Sequence, residues 1–140
     1  MNILLAVDGS EYTRRMLSFV ASHEDWLGKN HRYTVVNSTP HINSRAASWV
    51  DESVLRSYYA EEAERIFEPI RTFFEARGIA ASFVAQIGPV AEAVARQAKA
   101  TQADLVMLGS HGHGNFMNLV MGSVATQVLA SCTVPVLLIR

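Results

Sequence analysis

Charge is missing from the last quarter of this chain. Between Leu105 and Ile139 there is no Asp, Glu, Lys or Arg, so an anion bound there must be held by backbone N–H groups and a helix N-terminus. Cysteine is nearly absent as well. Cys132 is the single one, which excludes an internal disulfide and reads as a small packing residue in a reducing compartment. Neither sign of charge dominates, with 12 basic against 13 acidic residues, which argues against a general electrostatic hold on nucleic acid or an anionic membrane. Residues 3–7 are apolar without a basic flank and make too short a run for a secretory signal, so a cytoplasmic location is expected. The uncharged stretch is interrupted by Gly, Ser, His, Asn, Gln and Pro; two short buried strands around a loop and a helix suit it better than a membrane span.

What is present is a regular alternation of elements. At 140 residues the chain fits one domain with a sizeable core. Residues 2–7 form a continuous apolar run, the pattern of a strand buried on both faces. Asp8-Gly9-Ser10 is a turn with two good N-cap residues, and Tyr12, Met16, Phe19, Val20 and Trp26 or Leu27 recur at helical spacing up to Gly28. A second strand is expected over 33–37, a loop over 40–48, and a long helix from Trp49 to Arg77 that Pro69 should kink or divide. Strands over 79–87, 103–108 and 134–139 complete the set, with helices from Pro89 to Thr101 and over 123–131. Five strands separated by helices predict a parallel α/β sheet covered on both faces.

In such a sheet ligands bind outside the carboxyl ends of the strands, where strand order reverses. The first strand ends in Asp8-Gly9-Ser10 and the fourth in Gly109-Ser110-His111-Gly112, with nine further residues before Gly122-Ser123. Gly109 and Gly112 would let the backbone turn with positive φ and approach a ligand closely. Gly122-Ser123 would open a helix with free N–H groups, a hydroxyl and the positive end of the helix dipole. Together these make a phosphate cradle. There is no Gly-Lys-Ser/Thr of a Walker A loop and no G-x-G-x-x-G.

The spacing G-x2-G-x9-G-[S/T] at Gly109, Gly112, Gly122 and Ser123 resembles the nucleotide-binding signature of the universal stress protein family. The likeness extends to residues 1–10, Gly88, Ala103-Asp104 and Pro135-Val136-Leu137-Leu138. It implies a three-layer αβα fold with a five-stranded sheet in the order 3-2-1-4-5, binding ATP or another adenine nucleotide with Mg2+. Carried onto this sequence, Val7 and Asp8 would meet the ribose or a metal, and Gly109, His111 and Gly112 would line ribose and phosphates. Gly122, Ser123 and Val124 would hold the phosphates, and Ser38 would meet the adenine through its backbone. Ser38 stands where an aliphatic residue is common in the family and Asn37 where His is common. The likeness also implies a twofold homodimer through the edge strand from Val134 to Ile139, an assembly that would cover its unpaired backbone groups.

Other residues read more plainly. His111 and His113 have no orienting partner evident in the sequence, Asp104 is structural, and the aromatic stripe Tyr58, Tyr59, Phe67, Phe73 and Phe74 is core. Asp8 alone would also serve as a helix N-cap, and Met117 and Met121 as a lid or as gap fillers. A phosphorylation-receiver domain would need an acidic pair after the first strand and a Lys near the last, and both are missing. The chain is therefore expected to be a small cytoplasmic ATP-binding stress-response regulator. Without a loop Lys or an arginine finger it would be at most a slow ATPase. The alternative is a dimeric interaction module that binds no nucleotide.

Overall fold

Asn2–Ala6 (β1) is the centre of the sheet, and its side chains show why. Ile3 and Leu5 enter one apolar cluster and Leu4 another, the period-two alternation of a strand covered on both faces. The computed structural model describes residues 1–114 and 120–140. Around β1 lie Arg32–Thr39 (β2), Ala81–Ile87 (β3), Leu105–Gly109 (β4) and Val136–Ile139 (β5), all parallel in the order β3-β2-β1-β4-β5. This is the α/β fold and strand order expected from the resemblance.

Six helices are described: Glu11–Ser22 (α1), Glu24–Leu27 (α2), Ser44–Ala47 (α3), Glu52–Ala76 (α4), Val90–Ala100 (α5) and Ser123–Ser131 (α6). Met16 and Val20 of α1 join Phe67, Ile70 and Phe74 of α4 in one cluster. Val94 and Ala98 of α5 join Ala125 and Val128 of α6 in the other. The sheet thus lies between two helical layers. No helix among the described residues is long and apolar enough to cross a membrane.

Several boundaries differ from the sequence expectation, each for a local reason. α4 is not divided at Pro69: it runs unbroken for 25 residues. Pro69 donates no N–H to the carbonyl of Arg65, but both residues are exposed, so water can take the place of the lost partner. The helix starts at Glu52 rather than Trp49 because Asp51 caps it, accepting from the Ser53 N–H, and residues 44–47 of the expected loop make a single turn. The first helix stops at Ser22, and the following short turn buries Leu27 while Trp26 stays exposed. β3 begins after Ile79, whose N–H is used on the Phe74 carbonyl at the end of α4. β2 extends two residues further than expected because Ser38 and Thr39 pair with Gln86 and Ile87. β5 begins at Val136, since Pro135 has no N–H to give and contributes only its carbonyl, to Val106. Of the aromatic stripe, Tyr59, Phe67 and Phe74 are core, whereas Tyr58 is 45% exposed.

One buried polar contact ties the first crossover to the sheet. The Tyr33 hydroxyl donates to the Leu27 carbonyl at 2.5 Å in a buried setting, and burial pushes its pKa from 10.0 up to about 12. The folded state therefore favours the protonated phenol, and the stability this contributes is complete below pH 10 and lost as pH rises toward 12. Tyr33→Phe should cost about 1 kcal/mol at neutral pH. In urea unfolding series the gap to the unsubstituted protein should then narrow between pH 10 and 12; a constant gap would contradict the assignment.

Candidate functional site

The strand order makes β1 and β4 neighbours, paired from Ile3↔Leu105 to Ala6↔Leu108, so the turn after β1 and the glycine loop after β4 leave the sheet side by side. Chain direction diverges here, with β1 leading out to β2 on one side and β4 to β5 on the other, which opens a crevice above the strand ends. Its cavity of about 210 Å3 is lined by Val7, Asp8, Gly109, His111, Gly112, Gly122, Ser123 and Val124, among others. Eight of the nine residues expected from the sequence thus share one cavity. Ser38 does not line it: its hydroxyl donates to the Gly88 carbonyl at 2.9 Å, on the side of β3.

Asp8 is the hinge of this arrangement. Ser10, not Asp8, is the N-cap of α1, its hydroxyl accepting from the Tyr12 N–H. Asp8 instead folds the turn inward: its Oδ1 accepts from the Ser10 N–H at 2.9 Å and from the Thr13 hydroxyl at 3.2 Å. Thr13 Oγ1 in turn lies within hydrogen-bond distance of the N–H groups of Asp8 and Gly9. Gly9 takes a φ of 75°, the left-handed conformation this tight turn requires. On the neighbouring strand the Asn37 side-chain amide donates to the Val7 carbonyl at 2.9 Å, fixing the last peptide before Asp8. The contacts that Thr13, Tyr12 and Asn37 make here are not legible in the sequence. Thr13 and Tyr12 sit inside a helical repeat and look like packing positions, and Asn37 acts only because β2 lies beside β1.

The glycine loop closes on Asp8 from the other side. Gly109 and Gly112 do not adopt positive φ as expected; the positive-φ glycines described are Gly9, Gly78 and Gly88. What excludes a side chain is space. A Cβ on Gly109 would lie 2.5 Å from Tyr12 Cβ and 2.8 Å from the His111 carbonyl oxygen, and one on Gly112 would lie 2.9 Å from Asp8 Oδ2. His113 Nε2 donates to the Asp8 carbonyl at 2.7 Å, and His111 Nδ1 lies 3.1 Å from the Ser110 hydroxyl. Both histidines are thus oriented by partners that could not be seen in the sequence. Ser110 carries the connection onward, its N–H donating to the Ile139 carbonyl and its own carbonyl accepting from the Gly122 N–H, both at 2.7 Å.

That last bond draws the start of α6 over the crevice. Gly122 is the N-cap and has no side chain with which to cap the first turn, whose N–H groups have no intrahelical acceptor. Ser123, Val124 and Ala125 all line the cavity. An anion placed there would meet these N–H groups and the positive end of the helix dipole. Among the described residues no group of three His, Cys, Asp or Glu is arranged to hold a metal ion. Asp8, whose Oδ2 faces Gly112, is the carboxylate on the crevice wall.

Of the other residues named from the sequence, Met121, Cys132 and Asp104 are not among those that line the crevice. Met121 packs against the core cluster on the α5–α6 face, as does Cys132, and Met117 lies outside the described residues. Asp104 is structural, its carboxylate accepting from the Asn2 N–H at 2.7 Å at the opposite end of the strands. A second hollow of about 690 Å3 lies between α3 and the start of α4, but it is more open and contains none of the expected site residues.

The two glycines should respond differently to a methyl group. Gly109→Ala meets backbone and the root of a side chain, which rotation cannot relieve, and should lower stability by about 1–3 kcal/mol. Gly112→Ala meets only the end of the Asp8 carboxylate and should cost under about 1 kcal/mol while turning that carboxylate aside. Urea unfolding of both variants checks this, and the reverse order of cost would contradict it.

The family model described as the universal stress protein family matches residues 1–140. A universal stress protein of Mycolicibacterium smegmatis is 48% identical over 42 residues, covering 30% of this chain and 14% of that protein. One from Methanocaldococcus jannaschii is 28% identical over 89 residues, 64% of this chain and 55% of that protein. The chain thus spans well under two thirds of the length of both relatives. The solved structure of the M. jannaschii protein superposes with a TM-score of 0.84 at 24% identity, covering 99% of this chain and 94% of that one. A universal stress protein of Archaeoglobus fulgidus in complex with dAMP superposes with a TM-score of 0.68 at 21% identity, covering 100% and 98%. At these identities the structural likeness speaks to the fold, and the family match speaks to descent: the chain belongs to the universal stress protein family.

Proposed function

We propose that the crevice binds an adenine nucleotide, with ATP and Mg2+ as its ligands, and that occupancy makes the protein a cytoplasmic binding switch in a stress response. The observation that carries this reading is the meeting of Asp8, the glycine loop and the side-chain-free start of α6 in one cavity. Support comes from relatives of the same fold solved with dAMP, with AMP and with cAMP. Gly112, Gly122, Ser123 and Val124 would take the phosphates and Val7, Asp8, Gly109 and His111 the ribose side, with the adenine reaching past the cavity lining to the Ser38 backbone near the end of β2. Mg2+ would be held chiefly by the phosphates with Asp8 beside it, neutralising charge that otherwise meets only N–H dipoles. No Lys or Arg is among the residues that line the cavity, so turnover would be slow or absent.

A non-binding interaction module is the second reading, and one observation favours it. Packing alone already demands glycine at Gly109, and a Cβ on Gly122 would lie 3.1 Å from the Ser110 carbonyl oxygen, so two of the signature glycines have a purely structural reason. Gly112 separates the readings, because its Cβ would meet only the Asp8 carboxylate on the crevice wall.

For either reading we propose a twofold homodimer through β5, the edge strand, which pairs with β4 alone in the sheet. Light scattering at micromolar concentration should give twice the chain mass, and a monomer would remove this proposal. For the nucleotide, calorimetry should detect ATP binding with Mg2+, and Gly112→Val should abolish it with the fold retained. Any phosphate release should disappear in Asp8→Ala. Absence of ATP binding, together with no nucleotide in extracts of the purified protein, would leave the interaction module.

A further inference from the structure

The cavity that would receive phosphates has one carboxylate, Asp8, and no cation among the residues lining it. Apart from Mg2+ carried in with the ligand, helix N-terminal N–H groups must then offset both the ligand's charge and that of Asp8. The fold brings a guanidinium to within one aromatic ring of the crevice. Tyr12 is on the crevice wall, and three residues along the same face of α1 the Arg15 guanidinium carbon sits 5.2 Å from the centre of the Tyr12 ring. The same ring lies 5.6 Å from that of His111, on the glycine loop. Arg15, Tyr12 and His111 thus form a chain from the helix surface to the loop that would cradle phosphate.

We propose that Arg15 is the phosphate-pairing residue of this protein, leaving Glu11 to bind a phosphate of the nucleotide at the glycine loop. This rests on the nucleotide reading above and deepens it. In the ligand-free arrangement Arg15 pairs with Glu11 one turn earlier, Nε to Oε1 at 3.0 Å. Both side chains are about half exposed, and such an i,i+4 pair contributes little that a better partner would have to overcome. A phosphate offers the guanidinium fork two oxygens and more charge than one solvated carboxylate. The Tyr12 ring keeps the guanidinium beside a crevice-wall residue in the meantime, through a cation–π contact. Arg14 shares the helix and the charge but is exposed, with no aromatic contact or ion pair described, which makes it the natural control.

Calorimetric titrations with ATP and with adenosine test the proposal in Arg15→Gln, Arg15→Lys, Arg14→Gln and Glu11→Gln, each checked for an unchanged far-ultraviolet spectrum. Arg15→Gln should weaken ATP binding about tenfold and leave adenosine unchanged, and Arg15→Lys, which keeps the charge but not the fork, should recover only part of the loss. Glu11→Gln should tighten ATP binding about two- to threefold, since it releases Arg15 and removes a competing charge. Arg14→Gln should leave it within about twofold. Equal losses in Arg14→Gln and Arg15→Gln, or an equal loss for adenosine and ATP, would overturn the role of Arg15 while leaving the nucleotide reading intact. If the unsubstituted protein bound neither ligand, the nucleotide reading itself would fall and this proposal with it.

Discussion

Everything at the carboxyl end of this sheet depends on how Asp8 is held. One carboxylate oxygen is committed to the Ser10 N–H and the Thr13 hydroxyl. The other abuts the Gly112 backbone, and the Asp8 carbonyl takes the His113 ring N–H. A single residue thereby joins two loops more than a hundred positions apart in sequence. Turning its carboxylate aside would alter the crevice wall while the His113 bond to the Asp8 carbonyl stays in place, which is why the close approach at Gly112 matters more than any conformational freedom of that glycine.

The packing beneath gives Asp8 its position. β1 is buried on both faces and flanked by β2 and β4, so the end of the strand is anchored from both sides. Asn37 adds a bond to the Val7 carbonyl, just past β1, from one side, and Ser110 links β4, β5 and the start of α6 on the other. The crevice is therefore bounded by strand ends and helix starts, whose backbone is already hydrogen-bonded, and it presents preorganised N–H groups at little further ordering cost.

Much of the fold could be read from the residues alone. Continuous apolar runs such as residues 2–7 mark strands covered on both faces, and the glycines with Ser123 mark a loop meeting a helix start. The strand order came from the family resemblance, because periodicity says nothing about which strands are neighbours. What stayed hidden depends on contacts across the chain. Pro69 suggested a break that α4 does not have, since an exposed carbonyl can turn to water. Gly109 reads as a ligand glycine, and close packing against Tyr12 and the His111 carbonyl already requires its lack of a side chain. The Asn37 bond, the His113 bond and the ring contact of Tyr12 with His111 each join elements whose adjacency is set by the sheet.

The central claim is that the Asp8 crevice, and no other surface, receives the nucleotide. Amide chemical-shift mapping of isotope-labelled protein titrated with ATP and Mg2+ tests it most directly. The account predicts that Asp8, Gly112, Ser123 and Val124 shift first and furthest, while residues of the hollow between α3 and α4, such as Ile42 and Leu55, stay in place. Saturable shifts centred on that hollow, or none near Gly112 and Ser123, would contradict it.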